Sequence, residues 1–517
     1  MSAGTVAAES RSPQATARRR SLDNPAAASI LALTALAAIV RLWGIGHQGF
    51  WFDEANTAQL VQFSPGKMLG LIPQSESTPP LYYCVAWVWV RVFGFGEAGL
   101  RSLSAIAGIA AVPVIYGAGT KLISRRAGVI AAALAACNPL LIWYSQEARS
   151  YSLLVLLSSL ALLTFAYVRE EPSRQRVGAW VICSALALGT HYYAILALAP
   201  QAIWLVAIHG RRRPVQVGVG LVGLFGLALV PLALSQSGTG RANWIATAAL
   251  GRRLSQVAPQ FLTGFQLPAH SVLVPLAGVL AALGLVLVVW LEDKHARRRA
   301  FGIAGIALGG LLLNLALIAG GIDDLITRNV LALWPAAALA FAAGLSVRRP
   351  TLVGLAAAAG LCAIGVISAV AVKDDRNYQR PDWRGVARLL SAPQSPDSRA
   401  ILVQHYRDLL PLSLYVPGLR FVRYGGARIQ ELDVVSFTSP PSAGFCWWGS
   451  ACNLWPSMMQ ASYPLPGFHE VSRERVYQFT VLRLVADHPQ LVTLAGLSRV
   501  LQTTNIRNDE LLVEPQK

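Results

Sequence analysis

The chain has 517 residues, 54% of them hydrophobic and only 14% charged. A soluble chain carries about 25% charged residues, so a single water-soluble core is excluded and long stretches must lie in an apolar solvent. The formal net charge is +18, but the basic residues sit in short loops between apolar runs, as topology signals do, which speaks for a lipid bilayer and against a nucleic-acid partner.

Residues 1–25 are polar and end in Arg18-Arg19-Arg20, which reads as a disordered cytoplasmic tail. The run from Ala26 to Ile45 exceeds the apolar core of a signal peptide and reads as an uncleaved first span. Further runs matched to the thickness of a bilayer fall near 98–120, 127–145, 150–168, 177–190, 192–209, 215–234, 271–291, 300–320, 329–347 and 351–372. The stretch 177–209 has basic flanks on both sides, Arg169 to Arg176 before it and Arg211-Arg212-Arg213 after it. Flanks of equal sign require an even number of crossings, so two short passes with a turn at His191-Tyr192-Tyr193 are expected. The stretch 80–93, PLYYCVAWVWVRVF, is apolar but short. Reading it as a re-entrant or interfacial helix puts Lys121, Arg125, Arg126, Lys294, Arg297-Arg298-Arg299 and Arg348-Arg349 all on the inner side.

Past residue 372 the charge rises and the apolar runs shorten. Strand-like pieces fall at 400–406, 419–425 and 476–485, and PDWRGVARLL at 381–390 reads as a helix opening on Asp382. The expected fold is a polytopic α-helical membrane protein of about eleven spans, with eleven to thirteen as the range. Its transmembrane part covers 26–372 with an outer loop at 46–97, and a small C-terminal α/β extracytoplasmic domain covers 373–517. Cys446 and Cys452 lie close together in that domain, where a disulfide is open to them if it faces an oxidising compartment.

This topology gathers Asp53, Glu54, Glu76, Glu97, Glu147, Asp323 and Asp324 on the outer face. Asp53 and Glu54 follow Trp51 and Phe52 just beyond the first span. A carboxylate at a membrane surface beside aromatic groups suits a general base, while an acidic pair opening a helix also serves the helix dipole. SQEARSY, Ser145 to Tyr151, stands at the outer end of a span. Arg149 there opposes the positive-inside bias, which a lipid phosphate would explain and an ion pair with Glu147 or another carboxylate would explain equally well. Arg101 and Arg328 repeat the pattern, and His191 with Tyr192 occupies another outer turn.

These segments resemble the GT-C superfamily of membrane glycosyltransferases, most of all the bacterial relatives of the protein O-mannosyltransferases and of the lipid A aminoarabinose transferase. The matching pieces are FWFDEA at 50–55, TPPLYY at 78–83, FGEAGLRSLSAIAG at 95–108, LISRRAGVIAAALAACNPLLIWYSQEARSYSLL at 122–154, GTHYYAIL at 189–196, TRNVLALWPAAALA at 327–340 and PDWRGVARLL at 381–390. The resemblance implies an inverting glycosyltransferase at the outer face of the inner (plasma) membrane, with a polyprenyl-phosphate sugar as donor and a glycan, lipid or protein hydroxyl as acceptor. It implies Asp53 as catalytic base with Glu54 as neighbour. It places Arg101, Gln146, Glu147, Arg149, His191, Tyr192 and Arg328 on the donor-phosphate side. One departure is that the family often has Arg-Tyr where Arg328 is followed by Asn329. The scheme requires no cofactor, although the outer carboxylates could hold a divalent cation. A secondary transporter is the first alternative, but it would place ionisable groups at mid-span and show paired broken helices. An envelope scaffold or flipping protein is the second.

Overall fold

The computed structural model describes residues 25–265, 267–290, 293–349, 351–394, 398–403, 409–422, 425–437, 465–500 and 510–513. Cys446 and Cys452 lie outside the described residues.

Among the described residues eight helices are long and apolar enough to cross a membrane, or nine if the bent pair Arg125–Cys137 and Pro139–Ser145 is one span. Pro25–Leu42 (18 residues) and Arg174–Thr190 (17 residues) run alongside them. The helices alternate in direction. At one end Lys121 pairs with Glu170, Arg176 pairs with Glu171, His209 hydrogen-bonds the Arg169 carbonyl and Arg126 reaches Thr351. At the other end Tyr193 reaches Asp324, Arg328 reaches Asp53 and Gln146 reaches the carbonyl of Arg41. We call these the basic end and the loop end.

The run 127–145 is not one straight helix. It bends by 58° at Asn138, because Pro139 has no N–H to donate. The side chain of Asn138 caps the second piece by accepting from the Leu141 N–H. The carbonyls orphaned on the first piece are taken up by Arg41, whose guanidinium donates to Ala135 O at 2.8 Å and Ala136 O at 3.0 Å, and to Ser145 Oγ at 3.1 Å. A buried arginine in a span thus substitutes for the missing helical donors.

Leu81–Phe93 does not cross. Tyr82 near its start meets Ser104, and Trp89 near its end meets Ser102 and the Gly99 carbonyl. Both ends therefore lie against the first turns of Glu97–Leu122. Arg91 and Trp87 also reach back to the carbonyls of Val61 and Phe63 in the first loop. Gly94, at φ 91°, supplies the reversal into the next helix, a conformation strained for other residues. The segment 235–270, expected as a loop, contains the helices Asn243–Ala246 and Leu250–Thr263.

The C-terminal region forms a six-stranded sheet: β1 (Arg399–Val403), β2 (Arg420–Phe421), β3 (Ala427–Phe437), β4 (His469–Val476), β5 (Phe479–Val492) and β6 (Glu510–Val513), in the order β2-β6-β1-β3-β5-β4. Only β1 and β3 run parallel; the other pairs are antiparallel. The apolar run 476–485, expected as one strand, turns as a hairpin at Tyr477 (φ 61°). Helix Trp383–Leu390, capped by the Asp382 side chain on the Gly385 N–H, packs Trp383, Val386, Ala387 and Leu390 on one face of the sheet. Burial of such faces is worth about 25 cal/mol per Å² and holds a sheet of this size together.

Candidate active site

The first loop supplies the centre. Helix Phe52–Leu60 places Asp53 and Glu54 in its first turn, pointing to different fates. Glu54 is wholly buried and clamped by Arg101: Nε to Oε1 at 2.7 Å and Nη2 to Oε2 at 2.6 Å. The Ala148 N–H donates to the same carboxylate at 2.8 Å. Burial alone would raise the Glu54 carboxyl, but the Arg101 guanidinium and these hydrogen bonds hold it below the usual carboxylate range. The remaining donors of Arg101 go to the carbonyls of Ile45, Gln48 and Gly49. All five N–H groups are thereby used, so Arg101 has none left for a phosphate, and Glu54 braces the loop.

Asp53 is different. Its carboxylate keeps 18% of its side-chain surface exposed and meets Arg328, itself 23% exposed, at 2.9 Å. The Arg328 guanidinium also lies over the rings of Tyr151 and Trp244 at 5.9 and 5.6 Å. These two charges are accessible, whereas the carboxylates around them are sealed.

Arg149 pairs with Glu76 at 2.9 Å and touches Thr57 Oγ1 and the Asp53 carbonyl at 3.3 Å. Glu76 is further held by Asn56 at 2.7 Å. Arg149 therefore answers to an internal carboxylate, which the sequence left open, while its buried Nε has no hydrogen-bond partner. Glu147 takes hydrogen bonds on Oε2 from Trp143 Nε1 at 3.1 Å and Arg380 Nη2 at 3.2 Å, and its Oε1 has none. Burial pushes this carboxyl up to about 7 against the pull of Arg380.

His191 lies beside Tyr151, ring centroids 5.8 Å apart, and its Nδ1 accepts from the Tyr193 N–H at 3.3 Å. Burial, with Arg149 and Arg328 nearby, drives the imidazole down to about 3, so at neutral pH it is an uncharged ring with Nε2–H as its donor. Two expected donor-side residues are committed elsewhere. Gln146 donates to the carbonyls of Val40, Arg41 and Trp43, closing the end of the first helix. Tyr192 donates to Gln236 at 2.7 Å, and Gln236 in turn ties the Ile72 and Thr78 carbonyls.

Sequence reasoning missed Arg380. It is buried, stacks on Trp143 at 4.2 Å and faces both Glu147 and Glu54, the latter at 4.0 Å. The signal was available: an arginine just past the last span, at the end the positive-inside rule disfavours. Arg253, paired with Asp323 by two contacts at 2.7 Å, was missed in the same way. Among the described residues no group of three His, Cys, Asp or Glu side chains converges as a metal site.

Residues 77–234 match the family model described as dolichyl-phosphate-mannose-protein mannosyltransferase. No curated protein sequence matches significantly. Among solved structures, ArnT from Cupriavidus metallidurans bound to undecaprenyl phosphate is similar at 13% identity, over 88% of this chain and 97% of that one, with a TM-score of 0.54. The same protein in the apo state gives 12% identity, 88% and 97% coverage and 0.54. The oligosaccharyltransferase AglB from Archaeoglobus fulgidus, in complex with an inhibitory peptide and a dolichol-phosphate, gives 11% identity, 80% and 69% coverage and 0.47. At such identities the likeness to ArnT is one of fold, and the chain is a multi-pass membrane protein with an ArnT-like fold.

Proposed function

We propose that the protein is an inverting glycosyltransferase that moves a sugar from a polyprenyl-phosphate donor to an acceptor hydroxyl on the outer face of the membrane. The observation that carries this reading is the Asp53–Arg328 pair, 2.9 Å apart and partly open to solvent, set among carboxylates that are buried and already partnered. The mannosyltransferase family match over 77–234 and the ArnT-like fold support it.

In this reading Asp53 is the catalytic base. It takes the proton of the acceptor hydroxyl as that oxygen attacks the anomeric carbon, and the bond from that carbon to the phosphate oxygen breaks. The departing polyprenyl phosphate takes the electron pair, and Arg328 leaves Asp53 to neutralise it. The Nε of Arg149 and the Nε2–H of neutral His191 are further donors on that side. Glu54 and Arg101 act one layer back, holding the helix that carries Asp53. The scheme uses no metal ion, and transfer in the presence of EDTA tests that part.

The deciding experiment is sugar transfer by purified protein in detergent with a panel of radiolabelled polyprenyl-phosphate sugars, comparing wild type with Asp53→Asn. The substitution keeps the shape and removes the base, so turnover should fall by about 10²- to 10⁴-fold with the yield of folded protein unchanged. Equal turnover in both proteins would remove Asp53 from the chemistry.

A further inference from the structure

The peptide just before Asp53 is held by turns and belongs to no helix or strand. Helix Phe52–Leu60 starts at Trp51 with no side-chain cap, and residues 43–50 form an irregular strap between it and the first span. Polar backbone away from water needs partners, and here the partners come from two separate parts of the chain. Arg101, from the membrane part, takes the carbonyls of Ile45, Gln48 and Gly49. Gln146, also from the membrane part, takes the Trp43 carbonyl, and turns within the strap use the Leu42 and Gly44 carbonyls. Further partners come from beyond the last span. Arg384, on the helix that covers the sheet, donates to the carbonyls of Gly46 and His47 and pairs with Glu97 at 3.4 Å. Tyr415 accepts from the Phe50 N–H at 2.7 Å and donates to the Glu97 carboxylate at 2.8 Å. The fit is close: a Cβ on Gly49 would stand 3.2 Å from the Tyr415 hydroxyl and 3.3 Å from Arg384 Cβ.

We propose that the C-terminal sheet domain sets the position of the candidate base, with Tyr415 and Arg384 as positioning residues that fix the strap Ile45–Phe50 and, through it, the carboxylate of Asp53. Neither side chain touches Asp53. Each fixes backbone between three and seven residues before it, and Glu97 joins both to the start of the helix that bears Arg101. The domain is then part of the catalytic geometry. Misplacement of a reacting group by about 1 Å costs on the order of 10²-fold in rate, so a loosened strap should be visible in turnover.

This inference rests on the proposed function for its kinetic arm only, and the test separates the two. Full-length wild type, Tyr415→Phe and Arg384→Ala are compared by amide hydrogen exchange in detergent and by sugar transfer. Tyr415→Phe removes one oxygen and keeps the ring, so the fold should survive. Exchange over residues 44–60 should quicken by about fivefold or more, as expected for a lost hydrogen bond of ordinary strength, with the spans unchanged. The turnover number should fall by about ten- to a hundredfold while the donor KM stays put, a split that general destabilisation would not produce. Unchanged exchange in both variants would overturn the anchoring, and faster exchange with undiminished turnover would overturn the positioning role. If wild type transfers no sugar from any donor, the functional reading fails, and the exchange arm still decides whether the domain holds the strap.

Discussion

Glu147 is buried with one oxygen facing no hydrogen-bond donor. Burial pushes its carboxyl from an ordinary 4.5 up to about 7; Arg380 opposes this, and the carboxylates of Glu54 and Asp53 add to it. Between those two values the folded protein binds more protons at this site than the unfolded chain does. Its contribution to stability is therefore full below about pH 4.5 and is lost as pH rises through about 7. The expected outcome is that the unfolding temperature of wild type drops relative to Glu147→Gln as the pH is raised from about 5 to about 8. Parallel profiles would show that Glu147 does not titrate there. The sequence marked Glu147, Arg149 and Arg101 by their places at span ends, and all three do gather around the loop. What spacing could not reveal is how many donors and acceptors each keeps free. Arg101 has spent all five on Glu54 and three carbonyls, whereas Arg328, with the same apparent position, is partly open. That difference is set by contacts distant in sequence.

Among the elements, helix Trp334–Leu345 is almost wholly buried and meets His270–Leu287 through two glycines. A Cβ on Gly344 would fall 1.7 Å from the Gly284 carbonyl oxygen and 2.9 Å from the Val288 nitrogen. Both obstacles are backbone, so no rotamer change relieves them. Small residues allow this approach between helices in lipid, where dispersion supplies much of the attraction. Gly344→Val should force the pair apart and cost about 1–3 kcal/mol, the scale of overpacking, seen as a lower unfolding temperature in detergent. A value unchanged from wild type would mean the helices tolerate separation. The apolar elements were legible because lipid demands long runs. The sheet was less so. β3, ARIQELDVVSF, was not read as a strand because Glu431 and Asp433 interrupt its apolar pattern. Both carboxylates are buried and meet Arg399 and Arg483 on neighbouring strands, a pairing that exists only once the sheet has formed. The bend at Asn138 was likewise hidden in a continuous apolar run, although Asn-Pro was there as a signal.

Over the whole molecule, charge is divided between the two ends in a way that bears on orientation. The loop end carries arginines, but Arg101, Arg149, Arg253, Arg328 and Arg380 each face a carboxylate. Their charge is largely cancelled locally, so they add little to the bias that decides which loops stay inside. At the basic end Glu170, Glu171 and Asp293 are outnumbered by Lys121, Arg125, Arg126, Arg169, Arg174, Arg176, Arg211-Arg212-Arg213, Lys294, Arg297-Arg298-Arg299 and Arg348-Arg349. Excess Lys and Arg in short loops remain cytoplasmic. The basic end should therefore face the cytoplasm, with the candidate site and the sheet domain docked on it facing out. Single cysteines at exposed positions test this in a background where the six native cysteines are replaced. A membrane-impermeant maleimide added to intact cells should label Ser391→Cys, in the sheet domain, and reach Arg298→Cys only after lysis. The opposite pattern would turn the molecule over and move the proposed donor to the cytoplasmic leaflet. Since Asp53 and the sheet domain are joined through Tyr415 and Arg384, they must change sides together. Labelling of both positions from outside would therefore contradict the eleven-pass alternation itself, because an odd number of crossings separates residue 298 from residue 391.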